Sequence, residues 1–91
     1  MVESIVGCKW SLIVLELARQ GVNRPGAMER AVPGLTAKVL NERLRKMIRF
    51  GIFERRIFPV SPPHVEYRFT PFGRKFLRVL HAIARLQREI G

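Results

Sequence analysis

Acidic side chains are scarce in this chain. Seven carboxylates stand against seventeen Lys and Arg, giving a formal net charge of +10 and a sequence pI of about 11.5. A domain that basic is expected to meet a polyanion, because its cations release the counterions condensed on phosphates. An anionic membrane surface is the competing polyanion. Cysteine is nearly absent. The single Cys8 cannot form an internal disulfide, which fits a reducing cytosol. His64 and His81 stand alone, so no Cys/His cluster has metal-ligand spacing. No apolar run reaches the ~18 residues a membrane span requires. No positively charged segment precedes an apolar stretch at the N-terminus, which argues against a signal peptide. The chain also lacks a nucleophile–base pair, paired carboxylates and a phosphate-binding glycine loop, so an enzyme is not expected and no cofactor is implied.

What is present is enough to fold. Apolar residues make up 47% of the 91 residues, which excludes a disordered chain and points to one domain, 1–91, with a modest core. The organising stretch is LTAKVLNERLRKMIRFG, residues 35–51. Ala37, Leu40, Leu44, Met47 and Ile48 recur at helical spacing as an inward stripe, and Lys38, Asn41, Glu42, Arg45, Lys46 and Arg49 project elsewhere. Thr36 can cap this helix, and Gly51 can end it in a left-handed conformation.

Before it, residues 1–7 suggest a partial helical turn. Residues 9–20, KWSLIVLELARQ, form a largely buried helix closed by Gly21, with Trp10, Ile13, Val14, Leu17 and Ala18 at helical spacing. A short connector at 22–25 has room only for a minimal or edge strand, since Pro25 has no N–H. A short helix runs from Pro25 or Gly26 to about Val32, with Met28 and Val32 inward, and Pro33-Gly34 marks a turn. Two helices joined by a tight glycine-containing turn, the second bearing the cationic face, make a helix-turn-helix pattern. Residues 52–58 (IFERRIF) and 65–70 (VEYRFT) read as strands, and PVSPPH between them as a stiff loop: a β-hairpin wing. Thr70-Pro71 then starts a helix over 71–89. Phe72, Phe76, Val79, Leu80, Ile83, Leu86 and Ile90 lie along one side of it, with Leu77 and Ala84 adding a second stripe. So long an apolar face is expected to be covered by a partner subunit.

GCKWSLIVLELARQG, AVPGLTAKVLNERLRKM and GIFERRIFPVSPPHVEYRFTPFG together resemble the HxlR-type transcriptional regulators, a branch of the winged helix-turn-helix proteins close to the MarR group. The resemblance covers nearly the whole chain. It departs at Pro25, where the family usually has an aromatic residue, at Ala27, Ile48 and Phe50, and at Cys8, where the family often has glycine. It implies an α+β, mainly α, winged domain that dimerises through its terminal helix on a pseudo-palindromic operator. It also implies that an effector or a cysteine modification could change the spacing of the two reading helices. Oxidant-sensing members carry their cysteine in a longer N-terminal segment.

On these grounds Lys38, Asn41, Glu42 and Arg45 are candidates for major-groove contact, where Arg or Lys can read guanine, Asn adenine, and Glu the cytosine amine. Thr36 and the helix N-terminus suit phosphate. Arg43, Lys46 and Arg49 are expected at phosphates or in solvent. Arg55 and Arg56, adjacent on a strand, must face opposite ways. His64 and Arg68 add wing charge, with His64 near the minor groove or simply exposed. Trp10 reads as core and also joins Phe76, Val79, Leu80, Ile83, Leu86 and Ile90 in the candidate dimer interface. Cys8, at a helix start beside Lys9, is a candidate redox or electrophile sensor or a small buried filler. The expected function is sequence-specific binding of double-stranded DNA by a cytoplasmic, nucleoid-associated homodimer, without a membrane role. The alternative is a winged helix for protein interaction or for architectural DNA binding without sequence preference.

Overall fold

The computed structural model describes residues 1–90, as α1 (Val2–Val6), α2 (Lys9–Arg19), α3 (Pro25–Ala31), α4 (Ala37–Arg49), β1 (Phe53–Phe58), β2 (His64–Phe69) and α5 (Pro71–Ile90). One core joins Ile5 of α1, Val14 and Leu15 of α2, Met28 of α3, Leu40, Leu44 and Met47 of α4, Ile52 and Phe53 at the hairpin's start, and Phe76 of α5. Strand β2 alone sends in no fully buried side chain; its Tyr67 and Phe69 pack against the core half-buried. The fold is the winged helix-turn-helix that the sequence implies.

Helix ends follow from local chemistry. Thr36 is extended, and its Oγ1 accepts from the Val39 N–H at 3.2 Å, satisfying a free donor of the first turn. At the other end Gly51 turns to φ +73, its N–H reaches Ile48 O at 3.0 Å, and the Ile52 N–H reaches Met47 O at 2.9 Å. That pair of bonds is a Schellman stop, and it delivers Ile52 into the core beside Met47. Gly21 ends α2 the same way, with Val22 N–H on Leu17 O at 2.9 Å.

The hairpin is antiparallel, with Phe53 opposite Phe69, Arg55 opposite Tyr67, Arg56 opposite Glu66 and Phe58 opposite His64. Among the described residues no strand forms at 22–25. Only one bond of a third strand survives there, Tyr67 N–H to Asn23 O at 2.9 Å. Helix α5 is anchored at its first turn. The Thr70 N–H donates to Ile52 O at 3.0 Å, its hydroxyl donates to Gly51 O, and that same hydroxyl accepts from the Gly73 N–H at 2.9 Å.

Several expectations need correction. Ala37 and Ile48 are exposed, because the buried stripe of α4 is centred on Leu40, Leu44 and Met47 and these two sit just past its edge. Phe76, expected at a subunit interface, fills the protomer's own core beneath the hairpin. Trp10 likewise packs on that core, with its ring beside the Gly34 turn. The rest of the α5 ridge is uncovered: Phe72, Val79, Ile83, Leu86 and Ile90 are exposed, while Leu80 is half-buried. Among the described residues, no helix is long and apolar enough to cross a membrane.

Candidate nucleic-acid interface

The outward face of α4 carries Lys38, Asn41, Glu42, Arg45 and Arg49, all exposed, in steps of three and four residues. Ile48 stands among them, 38% exposed. Thr36 sits at the N-terminal tip of the same helix, where unpaired N–H groups and the helix dipole favour an anion. Lys46 is half-buried at the flank.

Arg43 does not belong to this face. It is one turn from Leu40 and from Met47, so its stem lies on the protein, and its Nε donates to the Cys8 Sγ at 3.1 Å. Its other near neighbour is Glu42, at 3.6 Å.

Between α4 and the hairpin lies a hollow of about 420 Å³, lined by Asn41, Arg45, Ile48, Arg55 and Tyr67. Arg55 and Tyr67 reach it because opposed residues of an antiparallel pair share one face. Of the two adjacent arginines, Arg55 therefore joins the α4 face. Arg56 is on the reverse face, 3.9 Å from Glu54. Sequence reasoning missed Ile48 and Tyr67 here. VEYRFT alternates, which puts Tyr67 on the face away from Glu66 and Arg68, but nothing in that pattern says which face turns toward α4.

The reverse face of the hairpin is occupied by its own charges. Arg68 is bonded to Glu66 at 2.9 Å, and His64 stacks on Phe58 with ring centroids 4.7 Å apart. His64 is thus half-buried at the base of the loop and not free at its tip. The exposed tip is the run from Pro59 to Pro63.

Cys8 is the N-cap residue of α2 and is half-buried. Burial pushes its thiol up. Hydrogen bonding with Ser11 and Arg43, and the charge of Arg43, outweigh this and bring it down from 9.0 to about 7. The Ser11 hydroxyl is itself buried, and among the described residues it has no partner beyond this contact. Among the described residues no group of His, Cys and Glu is placed to hold a metal ion.

The model of the HxlR-like helix-turn-helix family matches residues 5–90. The chain belongs to that family. An HTH-type transcriptional regulator of Synechocystis sp., itself uncharacterized, is 41% identical over 78 residues, 86% of this chain and 58% of the relative. The YtfH regulator of Escherichia coli is 33% identical over 79 residues, covering 87% of this chain and 63% of YtfH. The chain thus spans about three-fifths of the length of these curated relatives. Among solved structures, a MarR-family transcriptional regulator of Enterococcus faecalis superposes with a TM-score of 0.87 at 34% identity, covering 97% of this chain and 80% of that one. The redox regulator HypR in its oxidized form superposes with a TM-score of 0.81 at 27% identity, covering 97% and 91%. In this HxlR-like chain, the helix-turn-helix is α3 and α4, and the wing is β1 and β2.

Proposed function

We propose that this HxlR-like chain binds double-stranded DNA as a homodimeric transcriptional regulator, with α4 in the major groove. The supporting observation is the single exposed face of a capped helix that presents Lys38, Asn41, Glu42 and Arg45 together. Those are the side-chain types whose donors and acceptors match base edges. Thr36, Lys46, Arg49 and Arg55 flank them and suit the phosphate backbone. Ile48 adds an apolar contact of the kind that fits a thymine methyl.

The uncovered ridge of Val79, Ile83, Leu86 and Ile90 supports a two-fold pairing of α5 helices. Such a dimer would set two α4 helices on one face of the duplex, about 34–36 Å apart. Selection of binding sites from a random duplex library at fixed salt tests this reading. Enrichment of an inverted repeat with half-sites one turn apart is the expected result. Robust binding with no enriched motif would replace it with architectural, sequence-independent binding.

The Cys8–Arg43 contact favours a second layer. Cys8 abuts the helix that reads DNA, and its thiol is poised to be a thiolate near neutral pH. Oxidation or alkylation there would break a contact to α4, which makes redox or electrophile control the reading to test by comparing duplex affinity before and after thiol modification. Unchanged affinity after complete modification would remove Cys8 from the function.

A further inference from the structure

Glu66 is the sole acidic residue of β2, and cations from two separate parts of the chain surround it. Arg68 Nε and Nη2 both donate to its Oε1, at 3.1 and 2.9 Å. Its Oε2 faces Arg24 Nη2 and His64 Nε2, each at 3.7 Å. Arg24 is brought alongside by the neighbouring Tyr67–Asn23 backbone bond. Only 14% of the Glu66 side chain is exposed, and the Arg68 guanidinium rests 5.6 Å over the Phe58 ring. A carboxylate so placed competes with phosphate for the same donors, because both are oxyanions that a guanidinium binds with charge-assisted hydrogen bonds.

Phosphate contacts raise affinity for every sequence alike, whereas base contacts discriminate. Restraining wing cations therefore lowers background binding without touching the α4 face. We infer that Glu66 is a positioning residue that withholds Arg68, and with it Arg24 and His64, from the DNA backbone, so that the wing adds less sequence-independent affinity than its positive charge would supply. This rests on the DNA-binding reading given above.

The test measures the affinity of a random-sequence duplex across a range of salt concentrations, for the wild-type chain, Glu66→Gln, Arg68→Gln and the double variant. Glutamine keeps the shape and removes the charge. Glu66→Gln is expected to tighten binding several-fold at low salt and to steepen the slope of log K against log salt by about 0.9 for each further phosphate neutralised. Arg68→Gln should then reduce the slope more in the Glu66→Gln background than in the wild type, a coupling that net charge alone does not produce. Equal losses in the two backgrounds would overturn the inference. So would weaker binding at an unchanged slope, which would leave Glu66 as a mere brace of the hairpin. Absence of salt-dependent binding by the wild-type chain would instead bring down the DNA-binding reading itself.

Discussion

Gly73 lies so close to Ile52 that a methyl group built on it would meet the Ile52 carbonyl oxygen at 2.0 Å. Helix α5 therefore rests directly on the backbone that leaves α4, and no side chain fits between them. Gly73→Ala is expected to destabilise the fold by about 1–3 kcal/mol, as overpacking against backbone does. The melting temperature should fall accordingly, by about 4–8 °C per kcal/mol for a domain of this size. Gly51 is constrained differently: nothing lies within 4 Å of its added methyl, but its φ is +73. Gly51→Asn should thus be mild, while Gly73→Asn should be as severe as Gly73→Ala. Equal tolerance at both sites would contradict the close approach of the two backbones.

Removing a side chain proposed to read bases should separate affinity from folding. Lys38 and Arg45 are exposed and outside the core, so Lys38→Ala and Arg45→Ala should melt like the wild type, within about 0.5 kcal/mol. Each is expected to weaken binding to a selected site, by about 1–3 kcal/mol for a side chain that contacts a base. Unchanged operator affinity in both variants would remove α4 from the groove.

Burial divides the α5 ridge into two kinds of position. Ile83 and Leu86 are exposed in the protomer, so Ile83→Glu and Leu86→Glu should leave a folded monomer by sedimentation and circular dichroism. Phe76 is 6% exposed and belongs to the core, so Phe76→Ala should instead cost about 3–5 kcal/mol of protomer stability. A fully dimeric Leu86→Glu variant would rule out pairing through this ridge.

The Cys8 thiol offers a pH signature. Its value in the folded chain is lowered from 9.0 to about 7, so the thiolate stabilises the native state. That contribution is absent below about pH 7, grows between pH 7 and 9, and is complete above 9.0. Alkylation of the native protein should reach half its limiting rate near pH 7, and Arg43→Ala should move that midpoint upward. Stability of Cys8→Ser should lose the rise between pH 7 and 9. A midpoint near 9 in the native protein would show that neither Ser11 nor Arg43 holds the thiolate, and an unchanged midpoint in Arg43→Ala would remove Arg43 from that role.

Much of the fold could be read from residue order because its signals are local. Thr36, Gly51 and Thr70-Pro71 each mark a helix end through a hydrogen bond or dihedral that only nearby residues decide. The alternation of 65–70 set the strand within one residue of its observed bounds, His64–Phe69. What escaped was decided by distant packing. Arg43 has the composition of a phosphate contact, yet Cys8, 35 residues away in sequence, holds its head. Ile48 has the composition of a core residue, yet the hairpin leaves it open beside Arg45. Phe76 and Ile83 are apolar residues two turns apart on one side of α5, yet Phe76 is buried in the core and Ile83 is exposed, because the core reaches only the first part of the helix.

The anchorage of α5 also makes it a lever. Its first turn is pinned to Gly51 and Ile52, just past the end of α4, Phe76 and Leu80 seat its middle on the core, and residues 81–90 run out exposed along a molecule 50 Å in its longest dimension. At 1.5 Å per residue, a tilt of about 10° at that pivot swings the far end of a 20-residue helix by about 5 Å. In the proposed dimer, the crossing angle of two such helices would be geared through the Thr70 pivot to the separation of the two α4 helices. A small change of seating at one end is thereby translated into a change of gauge at the other.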